Sequence, residues 1–165
     1  MGGRRIARFP VNLETLLDSY RRWFGEELVD REGGPEAWRE RLDAAPFAVV
    51  AHGLGPDPVL NYGNRKALEL WEMDWEEFTR TPSRLTAEEP NREERARLLA
   101  RVTEHGFIDD YSGVRVSKGG RRFRISGARV WNLLDASGAY CGQAAAFGSW
   151  VYLEAAPTSA STSPP

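Results

Sequence analysis

The chain has 165 residues, enough for one buried core and short for two. Its 22 basic and 24 acidic side chains are interspersed and leave a net charge of −2, so there is no basic footprint for a phosphate backbone and direct nucleic-acid binding is not expected. The single cysteine, Cys141, excludes an intramolecular disulfide and a Cys-based zinc cluster.

One cysteine suits a reducing compartment, and the expected location is the cytoplasm. The N-terminal MGGRRIARFPVN is basic without the apolar run of a secretory signal, and no segment approaches the ~20 apolar residues of a membrane span. Basic residues are almost all arginine, Lys66 and Lys118 excepted, a usage compatible with a GC-rich bacterial genome.

Residues 1–11 are expected to be a flexible N-terminus. Leu13, Leu17, Tyr20, Phe24 and Leu28 then recur at steps of four, three, four and four, flanked by Leu16 and Trp23. This predicts an amphipathic helix over 12–29 with Asn12 as N-cap. Its stripe is a cap on the outer face of a sheet, the surface of a dimer, or both. Gly33-Gly34-Pro35 breaks the helix and admits a short second one over 36–43, completing a helical cap and linker over 12–45.

From Pro46 the texture changes. PFAVVAHG and GPDPVLNYGN predict two short strands, 47–52 and 58–62. Asn64 caps a helix whose Ala67, Leu68, Leu70 and Trp71 form one apolar face. Asp74 caps a second short helix, WEEF, with Glu77 at the capping-box position, and Pro82 ends it. Residues 83–90 read as loop, after which NREERARLLARVTEHG predicts a helix with Leu98, Leu99 and Val102 inward, His105 in the last turn and Gly106 at C′.

FIDDYSGVRVS, RRFRISGARVWNLL and GAYCGQAAAFGSWVYL are β-type runs, joined at Lys118-Gly119-Gly120 and Asp135-Ala136-Ser137-Gly138, both hairpin-turn compositions. The tail from 154 has no large apolar residue and is expected to be disordered. The predicted fold class is α+β: a five-stranded antiparallel sheet over 46–153 with helices on one face, preceded by the amphipathic helix.

Asp109 and Asp110 invite an acid/base reading, but neighbours on a strand point to opposite faces and share no proton. With Val116 paired to Arg121 across the turn, Asp110 falls opposite Gly127, in diagonal reach of Ile125 or Arg129. An Asp110–Arg129 ion pair is one expectation, and orientation of a ligand the other. The only histidines are His52 and His105, too few with one cysteine for a metal set.

Gln143, on a central strand, either holds a polar ring through its amide or bonds solvent and backbone. Trp71, Trp75, Phe78, Phe123, Trp131 and Phe147 read as core, yet six tryptophans are many for this length. A small-molecule pocket is expected to draw its apolar wall from Trp71, Phe78, Phe123 and Trp131. Its polar contacts would be Asn61, Asp110, Arg129 and Gln143.

Four segments, NYGNRKALELWEMDWEEF, PSRLTAEE, ERARLLARVTEHGFIDDYSGVRVSKGGRRFRI and VWNLLDASGAYCGQAAAF, carry a resemblance over about 13–150. In them the chain resembles the MEKHLA domain, a PAS-like module of small bacterial proteins and of the C-terminus of plant class III homeodomain-leucine zipper factors. The resemblance implies a PAS-like fold and a sensory or protein-interaction role, and specifies no cofactor. No homeodomain, zipper or lipid-binding domain is recognisable here, so the plant proteins' transcriptional role is not implied. Some PAS domains hold haem through a His in the helix before the third strand, where His105 lies. Helix capping is its plainer role. The photoactive flavin motif, a Cys in a helical Asn-Cys-Arg run, is absent.

Three functions are compatible with these features. The first is a sensor that binds a small molecule between sheet and helices and signals through protein contacts. The second is a ligand-free homodimerisation or protein-interaction module using Leu13, Leu17, Tyr20, Phe24 and Leu28. The third is an enzyme recruiting Asp109, Asp110, His52 and Tyr111, for which no nucleophile elbow, phosphate loop or Ser-His-Asp set is present.

Overall fold

Along Arg129–Leu133 apolar residues face both ways: Val130 on one side, Trp131 and Leu133 on the other, each at most 4% exposed. A strand buried on both faces belongs in mid-sheet with a layer on each side. The computed structural model describes residues 12–154 and has both layers. In chain order the helices are α1 (Leu13–Phe24), α2 (Pro35–Asp43), α3 (Arg65–Trp71), α4 (Trp75–Phe78) and α5 (Glu89–His105). The strands are β1 (Ala48–His52) and β2 (Leu60–Gly63), before α3, then β3 (Phe107–Val116), β4 (Arg122–Leu134), β5 (Tyr140–Phe147) and β6 (Ser149–Tyr152). Among the described residues no helix is long and apolar enough to cross a membrane.

The sheet is antiparallel in the order β2-β1-β5-β4-β3, with β6 also on β4. The β4–β5 ladder runs from Leu133–Gly142 to Arg129–Ala146, and β6 continues it in unchanged register to Phe123–Tyr152. Thus β5 and β6 are one long extended run interrupted at Gly148.

Helix α1 covers the outer face. Leu13, Leu16, Leu17 and Tyr20 pack with Trp131, Leu133, Val49, Ala51 and Ala144, each large apolar side chain contributing about 1.5–3 kcal/mol. Ser19 Oγ accepts from Leu134 N at 2.9 Å, and Trp23 Nε1 donates to Asn132 O at 2.9 Å. Of the two roles open to the stripe, its residues Leu13, Leu17 and Tyr20 are used to cap the sheet. The helix ends at Phe24, not at 29, because Gly25 turns left-handed (φ 75°) and its N–H bonds Arg21 O. Leu28 therefore falls outside the helix, partly buried against the same cluster with Phe24.

On the inner face α3, α4 and α5 roof the sheet, with Leu70, Trp71, Phe78, Leu98 and Val102 meeting Ala48, Phe123, Ile125, Val130 and Phe147. Asn64 joins this roof to the sheet. Its fully buried amide accepts from Ala67 N (3.2 Å) and Val49 N (3.0 Å) and donates to Leu42 O (2.9 Å) and Phe47 O (2.8 Å). At the other end of α3, Glu72 accepts from Ser117 Oγ at 2.8 Å and Gly119 N at 3.1 Å, fastening the roof to the β3–β4 turn. The segment expected as loop over 83–90 instead forms a 3-10 turn, Ser83–Thr86, and the first residues of α5.

The β3–β4 register differs from the expected one. Val116 pairs Arg122, not Arg121, because Ser117 joins the turn, its Oγ accepting from Arg121 N at 3.0 Å. Two bulges follow. Asp109 and Asp110 together oppose Arg129, and Ser126 and Gly127 together oppose Ser112. Asp110 and Gly127 take positive φ, 60° and 65°. The ion pair of Arg129 is consequently with Asp109 (3.2 Å) and Glu26 (2.8 Å), not with Asp110. The first bulge also turns Tyr111 onto the inner face beside Ile108.

Replacing Asn64 with Ala removes a cap and takes the side-chain partner from Val49 N–H and Phe47 O, while Leu42 O keeps only the longer bond from Ala45 N at 3.3 Å. The expected loss is roughly 3 kcal/mol or more, against about 1 kcal/mol for Asn12→Ala at an exposed cap. Urea denaturation of the two variants measures both. Equal losses would contradict the role given to Asn64.

Candidate functional site

Between the inner sheet face and α5 lies a cavity of about 60 Å³, room for a few waters or a compact molecule. Its apolar wall includes Val50, Leu60, Leu98, Leu99, Val130 and Phe147, with Trp71 at the α3 end. Its polar groups are His52 from β1, Gln143 from β5, Tyr111 and Arg115 from β3, Arg95 from α5, and Thr86. Among the described residues no three His, Cys, Asp or Glu side chains gather as a metal set.

The two guanidiniums stand out. Arg95 lies three and seven residues before Leu98 and Val102, on the buried face of α5. Arg115 alternates with Gly113 and Tyr111 on the inner face of β3 and is 7% exposed. Arg95 donates to Ser83 Oγ at 2.7 Å, and Arg115 donates to Val114 O at 2.8 Å and Tyr111 Oη at 3.2 Å. Among the described side chains neither has a carboxylate in ion-pair reach. Burial, and then the Arg115 charge beside it, lower the Arg95 pKa to about 10. Among the described residues the nearby anion is Glu94, reached through Tyr111, whose hydroxyl donates to it at 2.9 Å.

Of the residues expected to form a pocket, Trp71 and Gln143 line this cavity. Phe78 and Phe123 belong to the inner cluster around Trp71, behind the cavity wall. Asn61 is buried as the extra residue of a bulge between Ala51–Tyr62 and His52–Leu60, off the cavity. Asp110 is exposed at its bulge. Trp131 and Arg129 face the opposite side of the sheet, under α1: Trp131 meets Tyr20 edge-on and Arg129 Nη1 donates to Tyr20 Oη at 2.7 Å. Strand alternation separates them, since Gln143 pairs Asn132 and so shares the face that Trp131 does not. Cys141 packs on the outer cluster, and His105 ends α5 exposed, away from the cavity.

The polar residues not anticipated in this site are Arg95, Arg115, Thr86 and, as cavity groups, His52 and Tyr111. A signal existed for the first: its position on the Leu98–Val102 stripe puts a charged side chain on an apolar face.

His52 Nδ1 donates to Gly53 O at 3.0 Å, which leaves Nε2 as a buried acceptor with Gln143 beside it and no well-formed hydrogen bond. Gln143 Nε2 sits among three acceptors, Leu99 O (3.1 Å), Thr103 Oγ1 (3.0 Å) and Asn132 Oδ1 (3.1 Å). Burial lowers the His52 pKa below 6.5, and the Arg95 charge adds to this. The unfolded chain therefore takes up a proton near 6.5 that the fold refuses until lower pH. This contribution is complete above 6.5 and is lost as pH falls toward the folded value. The loss reaches at most about 1.4 kcal/mol per pH unit from this group. His52→Gln should make the fall in stability between about pH 7.5 and pH 5.5 shallower in urea titrations. An unchanged fall would contradict a buried neutral imidazole.

Among solved structures, the PAS domain of a protein from Colwellia psychrerythraea has a TM-score of 0.60 at 13% identity, covering 72% of this chain and 95% of that one. An RNA-binding light-oxygen-voltage receptor has a TM-score of 0.60 at 16% identity, over 77% of this chain and 34% of that one. A light-oxygen-voltage domain studied with a flavin analogue has a TM-score of 0.56 at 16% identity, over 76% and 91%. At these identities the likeness is one of fold. No curated protein matches the chain in sequence. The MEKHLA domain family matches residues 12–152, nearly the whole of the described structure; the chain belongs to that family, on a PAS-like fold.

Proposed function

We propose that this domain is a sensory module that binds a small molecule in the cavity between sheet and helices and reports its occupancy through protein contacts. The observation that carries this reading is the wall itself: an apolar cavity into which buried polar groups converge, one of them, His52 Nε2, without a well-formed hydrogen bond. Few convergent polar groups in an apolar cleft are the usual make-up of a small-molecule site. A cavity of this kind departs from the close packing of an ordinary core.

A route to the surface runs through Asn132. Its side chain bonds Gln143 at the cavity, and its backbone oxygen accepts from Trp23 of α1 on the opposite face. A ligand that displaces Gln143 would thereby bias how α1 sits, and a population shift of α1 is what a partner would read. Ligand-free homodimerisation is the competing reading, but the apolar stripe it would use is occupied by the sheet.

Native mass spectrometry of freshly purified protein, read against its denatured mass, tests this directly. The expected result is a monomer carrying a small-molecule adduct that denaturation releases, or a protein stabilised by a member of a metabolite panel, since binding to the native state alone raises Tm. An adduct-free dimer that no panel member stabilises would overturn it.

A further inference from the structure

Arg95 and Arg115 bring two positive charges to one cavity, and one anion, Glu94, answers them at a remove through the Tyr111 hydroxyl. Buried charges are ordinarily paired, because an unpaired one forfeits its hydration. His52 adds no negative charge, and Gln143 directs its amide nitrogen to Leu99, Thr103 and Asn132. Among the described residues the site is thus one negative charge short. Most of its wall is apolar: Leu98 and Leu99 from α5, Val50 and Val130 from the sheet, and the rings of Trp71 and Phe147.

We infer that the cavity takes a compact organic carboxylate, its head between Arg95 and Arg115 and its apolar body against Leu98, Leu99 and Val130. The inference rests on the ligand-binding reading above and adds the class of ligand. A single carboxylate balances the charge, and a guanidinium presents a planar fork that matches it. Inorganic phosphate would match the arginines but leave the apolar wall unused. The lowered Arg95 pKa agrees with a cation left without a counter-ion.

The charge shortage also separates this role from a structural one. A guanidinium placed to hold the fold destabilises it when removed. One held uncompensated for a ligand does the reverse, since its loss relieves a buried charge. Arg95→Met retains the length of the side chain without the charge, and Arg95→Lys retains the charge without the fork.

The test is a thermal-unfolding series at constant ionic strength with acetate, butyrate and benzoate, the neutral isostere benzamide, and inorganic phosphate as probes. Wild type should gain about 5 °C or more at a hundredfold excess of the best carboxylate over its Kd, with benzamide and phosphate giving little. Arg95→Met should melt above wild type without ligand and bind that carboxylate roughly tenfold to a hundredfold more weakly, with Arg95→Lys between. Equal shifts with benzoate and benzamide would overturn the carboxylate assignment and leave the ligand-binding reading standing. A shift with phosphate alone would replace the ligand class. No shift with any probe, together with an Arg95→Met variant that melts below wild type, would make Arg95 structural and sink the inference. If native mass spectrometry then also found no adduct, the sensory reading would go with it.

Discussion

The structure depends on a central pair of strands, β4 and β5, that is apolar on both faces. Trp131, Leu133, Ala144 and Ala146 look one way and Val130, Ala145 and Phe147 the other. Neither face tolerates water, so two separate roofs are required. Helix α1 supplies one and α3 to α5 the other. The outer roof packs around Trp131 and Leu17, both fully buried. The inner roof is held at its ends, by Asn64 and by Glu72, and the cavity lies between those ties and α5.

That division gives the two faces different work. The outer face stores stability in hydrophobic packing and in the Arg129 ion pairs with Asp109 and Glu26, which are partly exposed and individually worth little. Among the described residues the inner face accepts a cost: two arginines with one indirect counter-charge, and an imidazole nitrogen without a well-formed hydrogen bond. A fold keeps such a cost where function requires it, and under the proposed function the cost is what would make the interior responsive to a bound molecule. Because Asn132 bonds Gln143 on one side and Trp23 on the other, the two faces share a residue through which a change could pass.

Much of this was legible in the sequence. The stripe from Leu13 to Tyr20, the caps Asn12, Asn64 and Asp74, and the long strands were readable because each rests on local periodicity or a local hydrogen bond. The end of α1 was not, since Leu28 stays in phase and a glycine inside a helix costs only about 1 kcal/mol. The register of β3 against β4 was not either. It turns on Ser117 entering the turn and on two bulges that cancel one another, none of which leaves a compositional trace. The site suffered most: a one-residue register change exchanges the faces of a strand, and with it the partners of Asp109 and Asp110. Arg95 was visible in principle as a charge on an apolar stripe, and its significance emerges only once Arg115 is brought beside it by the sheet.

The most direct measurement of the central claim, that the inner cavity is built for an anion, is an anomalous difference map from crystals soaked in bromide. The account predicts a peak inside the cavity within hydrogen-bonding reach of both the Arg95 and the Arg115 guanidinium. Peaks confined to the protein surface, with a carboxylate of the chain itself seated on the two arginines, would contradict it.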